Sequence, residues 1–160
     1  MKFFRSILLA ISLVSIPLTA IDKQAHIEGK FFSKLSDYRF FKDLTNQIPA
    51  DEVLPYQLQS ELFSDYTYKQ RFVYVPPAMK VEHEKNKVFM FPVGSVLIKT
   101  FSYQNTMSEL STQLLETRLL IHSEGGWKAV SYIWNEDQSE AYLSLVGGTI
   151  QTSFSDEDGN

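Results

Sequence analysis

Three histidines, His26, His83 and His122, are the side chains best suited to metal or proton chemistry in this cysteine-free chain. None falls in an H-x-H, H-x-x-x-H or H-E-x-x-H pattern, the spacings that bring two imidazoles to one side of a strand or helix. Glu82-His83-Glu84 is therefore read as a solvated turn. Glu116 and Arg118 stand two apart in a run with strand character, so they share a face and can pair. The pair is structural if that face is covered, and Arg118 is an anion clamp if it lines a pocket. Asn135 and Asp137 follow an expected strand and suit a turn through local hydrogen bonds. Read functionally, they form an amide and carboxylate cluster for sugar or calcium, without the full calcium-loop pattern. Asp65 sits among two cations and two aromatics. A paired-carboxylate hydrolase would draw on Asp65, Glu116 and Asp137, but their spacing assigns no acid and no base. Ser64 lacks the flanking glycines of a nucleophile elbow. The aromatics Tyr56, Phe63, Tyr66, Tyr74, Tyr103, Trp127, Tyr132 and Trp134 supply a sugar-stacking platform where exposed and cross-strand core pairs where buried.

The elements that must position these residues are mostly strands. Arg71–Val75 reads as a strand stopped by Pro76-Pro77, Val88–Phe91 as another, and Ser95–Tyr103 as a third rich in β-branched and aromatic residues. Gln113–His122 alternates, with Leu115, Thr117, Leu119 and Ile121 on one face and Glu116, Arg118 and Leu120 on the other. Gly125-Gly126 closes a hairpin onto Trp127–Asn135, whose Val130, Tyr132 and Trp134 share a face, and Gln138–Val146 gives a further strand. Thr149–Phe154 adds a possible edge. Near-helical spacing of Phe31, Phe32, Leu35, Tyr38, Phe41 and Leu44 predicts a short helix over Ser33–Lys42. The expected fold is mainly β: an antiparallel β-sandwich or barrel-like domain with a short N-terminal helix.

The N-terminus carries Lys2 and Arg5, then an uncharged apolar run from Ser6 to Leu18, then Thr19-Ala20 before polar residues. That is the three-part pattern of a secretory leader, too short for a membrane span. The expected organisation is a signal peptide over 1–20, a flexible segment over 21–30, a single β-rich domain over 31–154 and a polar tail over 155–160. A periplasmic or secreted location follows, with no stable membrane span after leader cleavage. The chain of 160 residues has a net charge of −4, more negative without Lys2 and Arg5. That balance argues against nucleic-acid binding through phosphate neutralisation. The absence of cysteine excludes disulfides, thiolate catalysis, Cys-ligated zinc and C-x-x-C-H haem attachment.

Five motifs occur in a specific order: Leu54-Pro-Tyr56 with Gln59-Ser-Glu-Leu-Phe-Ser-Asp65-Tyr66; Phe91-Pro-Val-Gly-Ser-Val-Leu-Ile-Lys-Thr-Phe-Ser102; Leu115-Glu-Thr-Arg-Leu-Leu120; Trp127; and Ser131-Tyr-Ile-Trp-Asn-Glu-Asp-Gln138 with Glu140-Ala141. Together they resemble the haem-free region that precedes the cytochrome part in a family of exported bacterial c-type cytochromes, some described as dihaem. A similar region accompanies soluble glucose/sorbosone-type sugar dehydrogenase domains. The resemblance spans roughly Phe31–Gly148. It implies an exported accessory or interaction domain of a c-type cytochrome (electron-transfer) system. No cofactor is expected in this chain, with haem c on a separate cytochrome partner, or with a sugar dehydrogenase as partner. The family continues into C-x-x-C-H segments and this chain has none, so haem ligation transfers to no residue here. The expectation is a truncated or split-gene product, or a stand-alone accessory domain. The alternative is a periplasmic carbohydrate-binding module, favoured by an exposed Trp127 or Trp134.

Overall fold

Alternation of apolar and polar residues along Thr112–Ser123 and Gly126–Trp134 builds the centre of the molecule. In the computed structural model, which describes residues 20–60, 67–104 and 112–146, these segments are β6 and β7 of a six-stranded antiparallel sheet. The other strands are β3 (Val53–Pro55), β4 (Tyr68–Tyr74), β5 (Val96–Gln104) and β8 (Ala141–Ser144), and the spatial order follows the chain from β3 to β8. A second, two-stranded antiparallel sheet pairs β1 (Phe41–Asp43) with β2 (Ile48–Pro49). The expected mainly β, antiparallel class holds; the large sheet is open rather than closed into a barrel.

One face of the large sheet carries the core. Phe72, Tyr74, Val96, Ile98, Leu119, Ile121, Val130, Tyr132 and Trp134 are all buried there. Leu35, Tyr38 and Phe40 join them in the same cluster, with Phe41, Leu44 and Ala50 packed against it, so the N-terminal segment and the small sheet form the second layer. Polar groups inside this layer are joined in chains. The Phe32 N–H donates to Tyr38 Oη at 3.3 Å, and the two tyrosine hydroxyls lie 2.8 Å apart. Tyr132 Oη in turn donates to the Phe32 carbonyl at 2.8 Å, which leaves Tyr38 as the donor to Tyr132. A second chain runs through Thr117. The Trp134 indole can only donate, at 3.1 Å to Thr117 Oγ1, and the Gln47 amide oxygen can only accept, at 2.7 Å from Thr100 Oγ1. Thr117 therefore donates to Thr100 across 2.8 Å, and the Gln47 amide nitrogen ends the chain on the Leu44 carbonyl.

Three expectations are corrected. The α-helix lies at Lys23–Glu28 (α1), within the segment expected to be flexible. Asp22 accepts from the Gln24 and Ala25 backbone N–H groups, Gly29 closes the helix at φ 67°, and Ala25 and His26 anchor it in the interior. Over Ser33–Lys42 the expected helix is only a 3-10 turn at Leu35–Tyr38, ended by Arg39 in a left-handed conformation before β1 starts. The apolar spacing there serves a turn and a strand that both face the sheet. Its start is held by Glu140, whose carboxylate accepts from the Ser36 N–H and hydroxyl. Glu140→Ala should therefore lower stability by about 1 kcal/mol in urea unfolding. Finally, Val88–Phe91 is no strand. Glu82 and Met90 form an isolated bridge, and Val88, Phe89 and Met90 face solvent.

The alternation of β6 is also offset at one point. Phe101 pairs with Glu116 but Ser102 pairs with Leu114, so Leu115 is an extra residue in a β-bulge. From there Leu114, not Leu115, is buried, while Thr117, Leu119 and Ile121 keep the expected core face.

Candidate functional site

The second face of the six-stranded sheet is built by the residues that alternate with the core. Strand register arranges them in tiers. Val73, Leu97, Leu120 and Ala129 lie directly opposite one another across β4 to β7. The next tier is Arg71, Lys99, Arg118, Ser131 and Ser144, and the tier beyond it Lys69, Phe101, Glu116, Ile133 and Tyr142. At the other end of the face, His122 and Trp127 pair across the β6–β7 hairpin. The face therefore grades from aromatic through aliphatic to cationic.

The aromatic end is a linked set of rings. Trp127 stacks on His122 with centroids 4.5 Å apart and planes within 10°, and meets the Phe91 edge at 6.2 Å. Phe91 continues to Phe89 at 6.4 Å, and Phe89 to His83 at 5.1 Å. His122 Nδ1 lies 2.8 Å from the Phe91 carbonyl oxygen, which can only accept, so Nδ1 carries the proton and orients the ring beneath Trp127. Trp127 is 43% exposed and Phe89 59%, so the ring chain has two solvent-facing members, and Val88 and Met90 flank Phe89 in the chain and are exposed as well. Isolated exposed apolar residues need no explanation, whereas linked rings of this kind beside a hairpin are a common make-up of contact surfaces.

The cationic tier has a different chemistry. Like charges directly opposite on neighbouring strands repel, yet Arg71, Lys99 and Arg118 occupy three successive strands in register. Two features hold them. Glu116 accepts two hydrogen bonds from Arg118, at 2.9 and 2.8 Å, a forked guanidinium–carboxylate contact. The Phe101 ring lies under both cations, 4.5 Å from Lys99 Nζ and 4.8 Å from the Arg118 guanidinium carbon. Partial burial pushes the Lys99 ammonium below its usual pKa, and repulsion from Arg71, Arg118 and Lys69 adds to it. For Glu116, burial works upward, but hydrogen bonds from Arg118 and Ser131 outweigh it and hold the carboxyl below its usual range.

The residues expected from the sequence are thus distributed. Glu116 and Arg118 do come together, as a forked pair on the open face. Trp127 lies on the same face at its aromatic end. Trp134 is 4% exposed, tied by its indole N–H to Thr117, and belongs to the core. Asn135 and Asp137 sit at the opposite end of β7 from Trp127. They are engaged in the β7–β8 turn: Asn135 Oδ1 accepts from the Ser139 and Glu140 N–H groups, and Asp137 from the Ser139 N–H and hydroxyl. Those Ser139 hydrogen bonds draw the Asp137 pKa down. Asp65 lies outside the described residues, as do the leader and the expected edge at Thr149–Phe154. Lys99, Phe101 and Leu120 were not singled out as site residues by sequence reasoning, and His122 was weighed only as a metal ligand. Their signal was the alternation itself: each is the off-core residue of a strand whose core face is easy to read. Among the described residues no three metal-ligating side chains come together, and no helix is long and apolar enough to cross a membrane. No protein-family model, no curated protein and no solved structure matches this chain.

Proposed function

We propose that this chain is an exported accessory domain that docks a c-type cytochrome partner, and that the Trp127 end of the open sheet face is its docking surface. The observation that carries the reading is the linked ring set in which exposed Trp127 stacks on half-buried His122 of the β6–β7 hairpin and continues through Phe91 to exposed Phe89. Aromatic anchors with aliphatic neighbours and charge at the periphery are the usual make-up of an interface centre and rim. The motif order that resembles the haem-free region of exported cytochromes supplies the partner class. The chain as a whole is acidic, but the tier behind this surface is cationic, so the matching partner surface is acidic around an apolar centre.

The test is capture of purified c-type cytochromes on the immobilised chain, read by haem absorbance. Trp127→Ala should weaken capture by about tenfold or more, the effect of removing a central aromatic anchor. It should leave the fold intact, since Trp127 is 43% exposed and its ring partners are His122 and Phe91 outside the core cluster. Equal capture by wild type and Trp127→Ala would sink the assignment of the surface, and no capture by either would sink the partner class.

A second reading, carbohydrate binding, is favoured by one specific observation. His122 covers one face of the Trp127 ring in parallel, a geometry that presents the other face to a flat ligand such as a pyranose. Retention on neutral glycans that is lost in Trp127→Ala, with no cytochrome capture, would move the conclusion to this reading.

A further inference from the structure

Helix α1 is held to the rest of the molecule by few contacts. Of its six residues only Ala25 and His26 are buried. None of its side chains belongs to the main apolar cluster, although Ile21 before it and Phe31 after it pack against that cluster. A helix this short has no stability of its own in water, so α1 persists only through its fastenings. The Ile27 carbonyl accepts from the Glu124 N–H, at the tip of the β6–β7 hairpin, at 2.9 Å. The Lys128 side chain lies closely over the capping Gly29, and the backbone at Gly94 comes up against Ile27.

His26 is the remaining fastening, and it depends on charge. The neutral ring fits among Tyr38, Phe40 and Tyr74. An imidazolium in the same place would be shut off from water without a regular hydrogen-bond acceptor. Among the described residues, the groups that face or flank it are Asp22 at the start of α1, the Gly94 backbone before β5, Tyr38 of the 3-10 turn, Tyr74 of β4 and Lys128 of β7. Tyr38 and Tyr74 have raised pKa values through burial, so they stay neutral in acid and supply no counter-charge. Lys128 is a cation. Asp22 Oδ1 already accepts from the Gln24 and Ala25 N–H groups, and its attraction for the His26 proton is smaller than the cost of burial. Lifting α1 would give the charged ring to water. The layer beneath would remain, because Tyr38 stays bonded to Tyr132 and to the Phe32 backbone without help from α1.

We propose that α1 is an acid-released latch: protonation of His26 lifts Ile21–Lys30 off the Tyr38, Phe40 and Tyr74 rings while the six-stranded sheet stays folded. The closed latch is complete above the pKa of a free imidazole. It weakens as pH falls toward the lowered value of the enclosed ring, because the open form takes up the proton first. The latch is independent of the docking reading at Trp127 and stands or falls separately.

The experiment is native-state hydrogen exchange on the full chain at about pH 7.5 and about pH 5, corrected for intrinsic rates, with and without urea below the unfolding transition. The reporters are the Gly29 and Lys30 amides, bonded to the His26 and Ala25 carbonyls, and the Glu124 amide across the clasp. Their protection should lie well below that of the β5–β7 amides and should fall about thirtyfold at the lower pH, the ratio set by imidazole pKa values of 6.5 and about 4. Global unfolding takes up the same proton, so urea separates the two. Local opening exposes little surface and responds weakly to urea, whereas exchange through global unfolding responds steeply. His26→Leu should abolish the pH dependence of the reporters. Ala25→Gly should lower their protection a few-fold at both pH values and leave the ratio between them intact. Reporters that match the β5–β7 amides in protection and urea response would overturn the latch. So would an undiminished fall with acid in His26→Leu, or no fall in wild type and Ala25→Gly.

Discussion

Acidifying the protein from about pH 7 to about pH 4 should cost it about 3 kcal/mol of stability that a His26→Leu variant does not lose. His26 is fully buried, and among the described residues neither ring nitrogen makes a hydrogen bond of regular geometry, the Gly94 backbone giving only weak support. Its neighbours are rings: Tyr38 at 5.7 Å, Phe40 at 5.3 Å and Tyr74 at 5.5 Å. Desolvation lowers its pKa from 6.5 to about 4; the Asp22 charge and the Gly94 backbone oppose the shift without reversing it. The sign follows from the direction. The unfolded chain takes up a proton near 6.5 and the folded protein only near 4. Above the unfolded value both states are neutral at this site and its contribution is complete. As pH falls through the interval the unfolded state gains the proton first, and stability declines until the folded pKa is reached. The carboxylates of Asp43, Glu116 and Asp137 also have lowered pKa values, so their contribution too falls with acid, but only as pH drops through and below the ordinary carboxylate range. The two effects therefore separate on the pH axis. At neutral pH His26→Leu should be within about 1 kcal/mol of wild type. Removal of two unpartnered polar atoms and better helix propensity offset the lost ring contacts. Urea unfolding of both proteins across the interval is the measurement, and parallel pH profiles would refute the account of His26.

The second large effect is at Thr117. Thr117→Val keeps the shape of the side chain but removes the hydroxyl that links Trp134 to Thr100. The indole N–H is then buried without an acceptor, and Thr100 loses the donor that reached it. Because all three side chains are buried, water cannot replace the link. A loss of about 2–4 kcal/mol is expected, since removal of one partner leaves the other with its full desolvation cost. The urea midpoint should fall with the slope of the transition unchanged. A loss below about 0.5 kcal/mol would mean that the chain of hydroxyls contributes nothing to the fold.

These two sites mark what the sequence reveals and what it hides. The core strands were legible because β5 is rich in β-branched and aromatic residues and because β6 beyond its bulge and β7 alternate, so that Val130, Tyr132 and Trp134 share the face their spacing assigns. The helix was not, because α1 has only six residues and buries only Ala25 and His26, too few for a period to register. Its caps, Asp22 and Gly29, were the available signal. Leu115 illustrates a different limit: a bulge shifts the alternation by one residue, and only the pairing with Phe101 and Ser102 reveals it. At the candidate site, Glu116 and Arg118 were found because they are close in sequence. Their relation to Lys99, Phe101 and Arg71 depends on strand register, which is a property of three strands together. Trp127 and Trp134 look equivalent in the chain, being seven apart on one strand, yet an odd separation places them on opposite faces. Only Trp127 reaches solvent.

That difference also supplies the most direct measurement of the central claim. Of the two tryptophans, one is exposed on the proposed docking surface and the other is enclosed in the core. Haem is a strong quencher of nearby indole emission, so titration of the chain with a purified c-type cytochrome reports contact at Trp127. The account predicts a saturable quench of the exposed, acrylamide-accessible component and no saturable quench in Trp127→Phe. A quench that stays linear in cytochrome concentration, or one that persists unchanged in Trp127→Phe, would contradict it.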